Sequence, residues 1–398
     1  MGCSFMCGRA CTNKTFLVIT KKALTLLCHE TITLNIPDST TMHLESDIRY
    51  IDREIAYLTT EKLRRLHPLR QLFWECTLNC NLSCRHCGSE CLKDAVSRDM
   101  PLDDLLPILD QIKQHQPNVK TMVNTVGGEP LVRADIVECG RAITEKGFYW
   151  GMVTNAMLLD GYMLKELVRV GLRSVSIDVD GLRAEHNWLR NCDISFDRAY
   201  NAIGHLKTMP RLVWDVITCV NSRNIDKLDD IKQMLVEAGV RRWRCFTIVP
   251  MGRAFGDDDL SLSNEQFRHL MDFIAETRRE GKIRLSYGCE GYLGEYEGRV
   301  RDYHYSCRAG LTVASILSDG SISGCLSIRS DYHQGNIYND NFWDVWSNRF
   351  DVYRNRAWMH ADQCEGCEVF KYCQGNGMHL RDGNGKLMIC HYNKLKMK

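Results

Sequence analysis

Residues 70–91 read RQLFWECTLNCNLSCRHCGSEC. The first seven, 70–76 (RQLFWEC), are an apolar, aromatic run with the length and composition of a buried strand. Cysteines stand at 76, 80, 84, 87 and 91, and only Cys80, Cys84 and Cys87 have the spacing C-x3-C-x2-C. Three thiolates in one short loop can hold three corners of a [4Fe–4S] cube and leave the fourth iron open to another ligand. The competing reading is a zinc loop. A closed zinc site takes four ligands, usually as two C-x2–4-C pairs, and no second pair lies nearby. Iron–sulfur is the better reading of this loop.

Outward from the loop, strand-like and helical patterns alternate to about residue 291. Further strands are expected at 119–126, 149–154, 173–179, 212–220 and 243–249, and helices at 102–115, 135–146, 162–170, 196–207, 227–238 and 264–280. Pro107 is discordant within the first helix. Six βα units in series imply a parallel sheet with right-handed crossovers, doubly wound or a partial barrel. In either case the chemistry belongs at the C-terminal ends of the strands. After about 292 the alternation stops, leaving short strands at 313–317 and 321–324 and six cysteines between 307 and 390. That is too little apolar periodicity for an independent core, and such segments usually need metal.

Composition narrows the class. A chain of 398 residues with 44% hydrophobic and 25% charged residues can bury a proper core. Its net charge of +1 gives no argument for nucleic acid or an anionic membrane as partner. No apolar run approaches the roughly 18 residues of a membrane span. The 20 cysteines stand in a large chain whose start, MGCSFMCGRACTNK, has no secretory h-region, so metal is favoured over disulfides and a cytoplasmic location is expected. Three segments follow: an N-terminal extension over 1–68 with a helix at 46–66, an α/β barrel over 69–291, and a cysteine-rich region over 292–398. Met42 is an alternative start, which would make 1–41 an over-long reading of the gene.

Cys80, Cys84 and Cys87, behind a first strand and heading six βα units, resemble the radical SAM superfamily. That resemblance implies a partial (β/α)6 TIM-type barrel. It also implies a [4Fe–4S] cluster whose open iron is chelated by S-adenosylmethionine and whose electron cleaves the sulfonium to a 5′-deoxyadenosyl radical. Gly127-Gly128-Glu129-Pro130 resembles the family's GGEP segment, whose backbone approaches the methionine amine; alone it would be an ordinary tight turn. Thr154-Asn155 resembles its TNG segment, with Ala156 in place of glycine. The stretch SIDVDGLRAEHNWLR resembles S-x-D-G…H-D-x-x-R, with Asp178 at the ribose position and Arg190 at the methionine carboxylate. Asn187 stands where Asp is common. A surface salt bridge is the plain alternative for Arg190. His86 fills the position whose backbone meets adenine, and VPMGRA after strand six is another adenine-contacting segment, with no side chain assigned.

The later cysteines resemble the SPASM extension, which carries auxiliary clusters in peptide- and protein-modifying relatives. The resemblance assigns Cys364, Cys367, Cys373 and Cys390 to a complete distal cluster. A proximal cluster would take Cys307, Cys325, an upstream residue and position 377. Cys289 is the nearby upstream cysteine, but position 377 is Gly377. Three candidate ligands remain, with His379 as a replacement for the fourth; a [2Fe–2S] cluster, no cluster, or a zinc ribbon are the alternatives. Cys139, Cys192, Cys219 and Cys245 read as core residues, while Cys91 could be redox-active.

By this resemblance the chain is an anaerobic oxidoreductase that modifies a peptide or small protein. The look of the first cysteine loop is nearest to radical SAM proteins encoded beside a small lipoprotein, which suggests a co-encoded lipoprotein as substrate and a reductase or flavodoxin-type electron donor. Sulfatase-maturing enzymes place an aspartate base after the residue matching Cys325; here Leu326 stands there, and no catalytic base is assignable. The competing readings are a tetrapyrrole-tailoring enzyme and a non-catalytic iron–sulfur electron carrier. Intact Cys80/Cys84/Cys87, Gly127–Glu129 and Arg190 argue against the carrier.

Overall fold

The computed structural model describes residues 44–89, 91, 99–328 and 332–396. The expectation for residues 1–41, with its cysteines at 3, 7, 11 and 28, lies outside the described residues. Packing divides the chain into Met1–Thr59 and Thr60–Lys398. The first unit is described only from Leu44, along helix α1 (Leu44–Leu66).

The second unit is an α/β fold on one ten-stranded sheet. Seven parallel strands run across it in chain order: β1 (Gln71–Thr77), β2 (Met122–Gly127), β3 (Tyr149–Thr154), β4 (Leu172–Asp178), β5 (Val213–Val220), β6 (Arg242–Thr247) and β7 (Arg284–Tyr287). They are linked by α2 (Leu102–His115), α3 (Ile136–Glu145), α4 (Gly161–Arg169), α5 (Arg183–Arg190), α6 (Ser195–Leu206), α7 (Leu228–Glu237) and α8 (Asn264–Glu280). Chain order across the sheet is a barrel's order, and the barrel is partial. Strand β8 (Val313–Ile316) pairs parallel with β1 on one side, while β7 ends the sheet on the other.

Strands covered on both faces read as near-continuous apolar runs. Trp74, Val123, Trp150, Val175, Val216, Trp243 and Leu285 are all shut off from solvent. The helices approach closely where the sequence lets them: a Cβ on Gly140 of α3 would stand 2.1 Å from the Trp150 ring. Truncating such a tryptophan costs roughly 3–5 kcal/mol.

The expected strands and helices stand within a few residues of their places. Two elements of the barrel were not legible, nor were the two-residue strand Gly335–Asn336 and the short helices after it. Strand β7 has only four residues, and α5 (RAEHNWLR) lacks an apolar stripe and lies under the motif that ends in Arg190. The change of pattern near residue 292 falls inside the second unit, because β8 hydrogen-bonds to β1. Strand β9 (Ser321–Ser323) folds back on β8 through Asp319-Gly320, with Gly320 at φ +85°, the left-handed geometry such a hairpin needs. Beyond β10 (Gly335–Asn336) no described helix exceeds seven residues. No helix among the described residues is long and apolar enough to cross a membrane.

Candidate active site and cysteine clusters

The loop after β1 and the C-terminal ends of β2, β3 and β4 converge on one cavity. Its lining includes Cys80, Cys84, Cys87, His86, Gly127, Gly128, Asn155, Asp178 and Arg190. Of the first-loop cysteines and cofactor contacts expected from sequence, only Glu129 is absent from that lining.

Glu129 is fully buried and works between loops. Its carboxylate accepts hydrogen bonds from Thr154 Oγ1 (2.7 Å), Asn155 N (2.7 Å) and Leu131 N (3.0 Å). Burial outweighs those donors and pushes its pKa up to about 7. The side chain thus fastens the end of β2 to the end of β3. The flanking backbone is also tied to the cysteine loop, with Gly128 N donating to Thr77 O (2.8 Å) and Glu129 N to Asn79 O (2.9 Å). A Cβ on Gly128 would lie 2.1 Å from Asn79 O, so glycine is required there. Asn155 Nδ2 reaches Asn81 Oδ1 (2.8 Å) and lies 3.9 Å from Cys80 Sγ. Ala156 takes the left-handed conformation, φ +63°, that glycine would adopt freely.

Arg190 closes α5, where Asn191 at φ +52° ends the helix. Its Nε donates to Asp180 Oδ2 (2.6 Å), its Nη2 stands 3.2 Å from Asp178 Oδ2, and its Nη1 is 3.8 Å from Cys84 Sγ. The surface salt-bridge alternative fails, since the side chain is only 7% exposed. Asp180 was missed in the sequence, although it sits two residues after Asp178 in the motif. It has no solvent exposure, and its second oxygen accepts Cys219 N at 2.9 Å. Burial would raise Asp180, but Arg190, His86 and His186 outweigh it and hold the carboxyl at about 2. Burial pushes Asp178 up to about 6 against the pull of Arg190.

Arg253 was also missed. It follows β6 in the VPMGRA segment, lines the cavity, and donates to Cys84 O (2.7 Å) and Cys91 O (2.9 Å). Gly252 before it, at φ +55°, brings the backbone against the loop; a Cβ would meet Cys87 O at 2.5 Å. Burial pushes the Cys80 thiol up to about 11, while the Cys91 thiol and the Arg253 charge draw Cys87 down to about 5. Leu326 reaches the same cavity.

The later cysteines form two groups. Cys289, Cys325 and Cys307 lie within range of one another's charge, and so do Cys373, Cys390, Cys364 and Cys367. Each group has a buried arginine. Arg356 stands beside Cys307, and Arg381 Nη2 lies 3.5 Å from Cys364 Sγ. Cys139 and Cys245 are packed in the core, as expected, whereas Cys192 and Cys219 are only partly buried.

These residues fit iron–sulfur clusters and a bound cofactor. The thiols gather in sets beside buried cations, which suits anionic clusters. Among the described residues no three His, Cys, Asp or Glu side chains converge closely enough for a single metal ion. In the cavity, His86 keeps a buried Nδ1 with no partner, ready for a ligand's donor.

The radical SAM superfamily model matches residues 74–235, and the SPASM iron–sulfur cluster-binding domain model matches 307–368. The chain is 24% identical over 347 residues to the AdoMet-dependent heme synthase of Nitratidesulfovibrio vulgaris, covering 81% of this chain and 92% of that protein. It is 29% identical over 311 residues to the mycofactocin maturase MftC of Mycolicibacterium smegmatis, covering 77% of each. In three dimensions it is similar to native anSMEcpe with bound AdoMet and Cp18Cys peptide, with a TM-score of 0.65, 19% identity, and coverage of 83% of this chain and 94% of that one. The family carries a [4Fe–4S] cluster with S-adenosylmethionine, and the SPASM domain carries auxiliary iron–sulfur clusters. The chain belongs to the radical SAM superfamily of enzymes, in the branch that bears a SPASM domain.

Proposed function

We propose that this enzyme modifies a peptide or small-protein side chain, with Cys80, Cys84 and Cys87 holding the cluster that binds S-adenosylmethionine. The observation that carries the site is the convergence of those three thiols with Asn155, Asp178 and Arg190 on one cavity. When bound, the cluster and S-adenosylmethionine supply reductive cleavage of the sulfonium and hydrogen-atom abstraction from the substrate.

The chain's own residues bind and orient. Arg190 offers a fixed cation to a carboxylate, held in place by Asp180. Asp178 accepts from hydroxyl donors. The backbone of Gly127 and Gly128 approaches closely because no side chain intervenes, and Leu326 presents an apolar wall that keeps water from the reacting atoms. A peptide substrate is supported by the similarity to a maturase and to a fold solved with a peptide bound. A tetrapyrrole is the second reading, favoured by the similarity to a heme synthase along 81% of the chain. A co-encoded lipoprotein as substrate and a flavodoxin-type electron donor belong to the same proposal.

The test is 5′-deoxyadenosine formation by the anaerobically reconstituted protein with S-adenosylmethionine and a strong reductant. Adding a peptide substrate, sought among any small open reading frames beside the gene, should raise the rate at least tenfold and change the peptide's mass. Stimulation by an iron tetrapyrrole, with none by the peptide, would establish the second reading instead.

A further inference from the structure

The proximal cysteine group has three thiols, and the place of a fourth is already filled. Gly377 sits at the edge of this group: Met378 N, the next amide, faces the Cys307 sulfur. A Cβ built on Gly377 would stand 2.8 Å from Cε1 and 3.0 Å from Nδ1 of His379, and 3.2 Å from Tyr305 Oη. The imidazole edge therefore occupies the volume that a side chain from position 377 would enter. Tyr305 itself lies within range of Cys307, Cys373 and Cys289. Its hydroxyl is buried with no hydrogen-bond partner, in a residue only 5% exposed. A closed, satisfied core would not leave a phenol so placed.

We infer that His379, through Nδ1, is the fourth ligand of the proximal auxiliary cluster, alongside Cys289, Cys307 and Cys325. The inference rests on the reading of those cysteines as a cluster site. The neutral imidazole donates its Nδ1 lone pair to iron and keeps its proton on Nε2, so no redox step is involved. Tyr305 Oη stands beside it, available to a cluster sulfide as a hydrogen-bond donor. Replacing a thiolate by imidazole leaves the cluster one charge less negative, which raises its reduction potential relative to an all-cysteine site. Of the two auxiliary clusters, the proximal one is then the easier to reduce.

The test uses full-length protein, reconstituted anaerobically, in a Cys80/Cys84/Cys87→Ala background so that only auxiliary clusters contribute. It compares protein labelled with 14N- or 15N-histidine by hyperfine spectroscopy of the reduced state, together with iron and sulfide analysis. The expected result is a strongly coupled histidine nitrogen that disappears in His379→Cys. That variant should keep its full iron content and show a lower midpoint potential, whereas Tyr305→Phe should keep the coupling. Iron for two clusters with no coupled nitrogen, or a coupling that survives His379→Cys, would overturn the assignment. If adding Cys289/Cys307/Cys325→Ala removes no iron, the proximal site holds no cluster, and the underlying reading fails separately.

Discussion

The two cysteine regions are built in opposite ways. In the barrel, Cys80, Cys84 and Cys87 fall within eight residues of one loop, and strand ends clamp that loop. Gly128 N and Glu129 N hold it at Thr77 and Asn79, Arg253 holds it at Cys84 O, and Arg85 N donates to Leu189 O. In the C-terminal region the seven candidate cysteine ligands and His379 are spread from residue 289 to 390, on turns and helices of seven residues or fewer. Both regions set an arginine beside a thiol, at 3.8 Å for Arg190 and Cys84 and 3.5 Å for Arg381 and Cys364. The first site is made by the fold. The contrast predicts that the second relies on bound metal to hold its turns together.

The largest expected effects test that contrast directly. Replacing Cys80, Cys84 and Cys87 by alanine should cut 5′-deoxyadenosine formation at least 1,000-fold, to background, yet shift Tm by no more than about 3 °C. Replacing Cys364 and Cys373 should lower Tm by roughly 10 °C or more and open residues 357–396 to limited proteolysis, because short elements cannot supply the lost metal energy. Stripping iron with a chelator should give the same proteolytic pattern. Proteolysis spreading first through the barrel loop would break the comparison.

Next in size is Arg190→Gln. It leaves Asp180 buried without its counter-charge, which costs about 3–5 kcal/mol, and it removes the cation offered to the cofactor. Chemical denaturation should show that loss, and equilibrium binding should show at least a tenfold weaker affinity for S-adenosylmethionine. Arg381→Gln, its counterpart in the other region, should lower iron content and leave cofactor affinity unchanged. If both variants lose only iron, the arginines have one role and the contrast narrows.

The barrel was legible in sequence because its signals are local. Strand β1, the cysteine spacing, the glycine pair and Arg190 each sit in a short continuous stretch, and the fold needs only to stack the strands in order. What escaped was set by tertiary packing. Asp180 has the same extended-chain spacing as many strand residues, and its burial between β4, β5 and α5 appears only when Arg190 turns back on it. Arg253 gains its role from reaching across to a loop 162 to 169 residues earlier. Glu129 was grouped with the cofactor contacts from its motif, yet its oxygens point at the end of β3. In the C-terminal region, composition said that metal was needed. The filling of the Gly377 volume by His379 depends on a turn no pattern encodes.

A smaller effect concerns Glu129, which ties two strand ends together while raised from an ordinary value of 4.5 to about 7. Between those values the unfolded chain has released its proton and the folded one has kept it. Stability must therefore fall as pH rises from about 4.5 to about 7, by up to about 3 kcal/mol, and then level off. Glu129→Gln should flatten that slope. It should also cost about 1–3 kcal/mol at low pH, because an amide nitrogen would face a backbone donor. Denaturation midpoints across pH 4.5 to 8 would check both expectations, and an unchanged slope would remove Glu129 from the clamp.

The smallest effects come from two left-handed residues beside the barrel site. Gly252→Ala adds a Cβ 2.5 Å from Cys87 O, so the cysteine loop must move; iron content and cofactor affinity should fall together. Ala156 is the converse, a side chain already held at φ +63°. Glycine there would relieve about 1–2 kcal/mol of left-handed strain. It would also free the unfolded backbone at a cost of roughly 0.5–1 kcal/mol and lose a buried methyl worth about 0.8 kcal/mol. The terms nearly cancel, so Ala156→Gly should move stability by less than about 1 kcal/mol and leave cofactor binding intact. A loss of cofactor affinity in Ala156→Gly, measured at unchanged Tm, would mean that the strained turn itself aims Asn155. The barrel site would then owe its geometry to stored strain as well as to the clamp of strand ends.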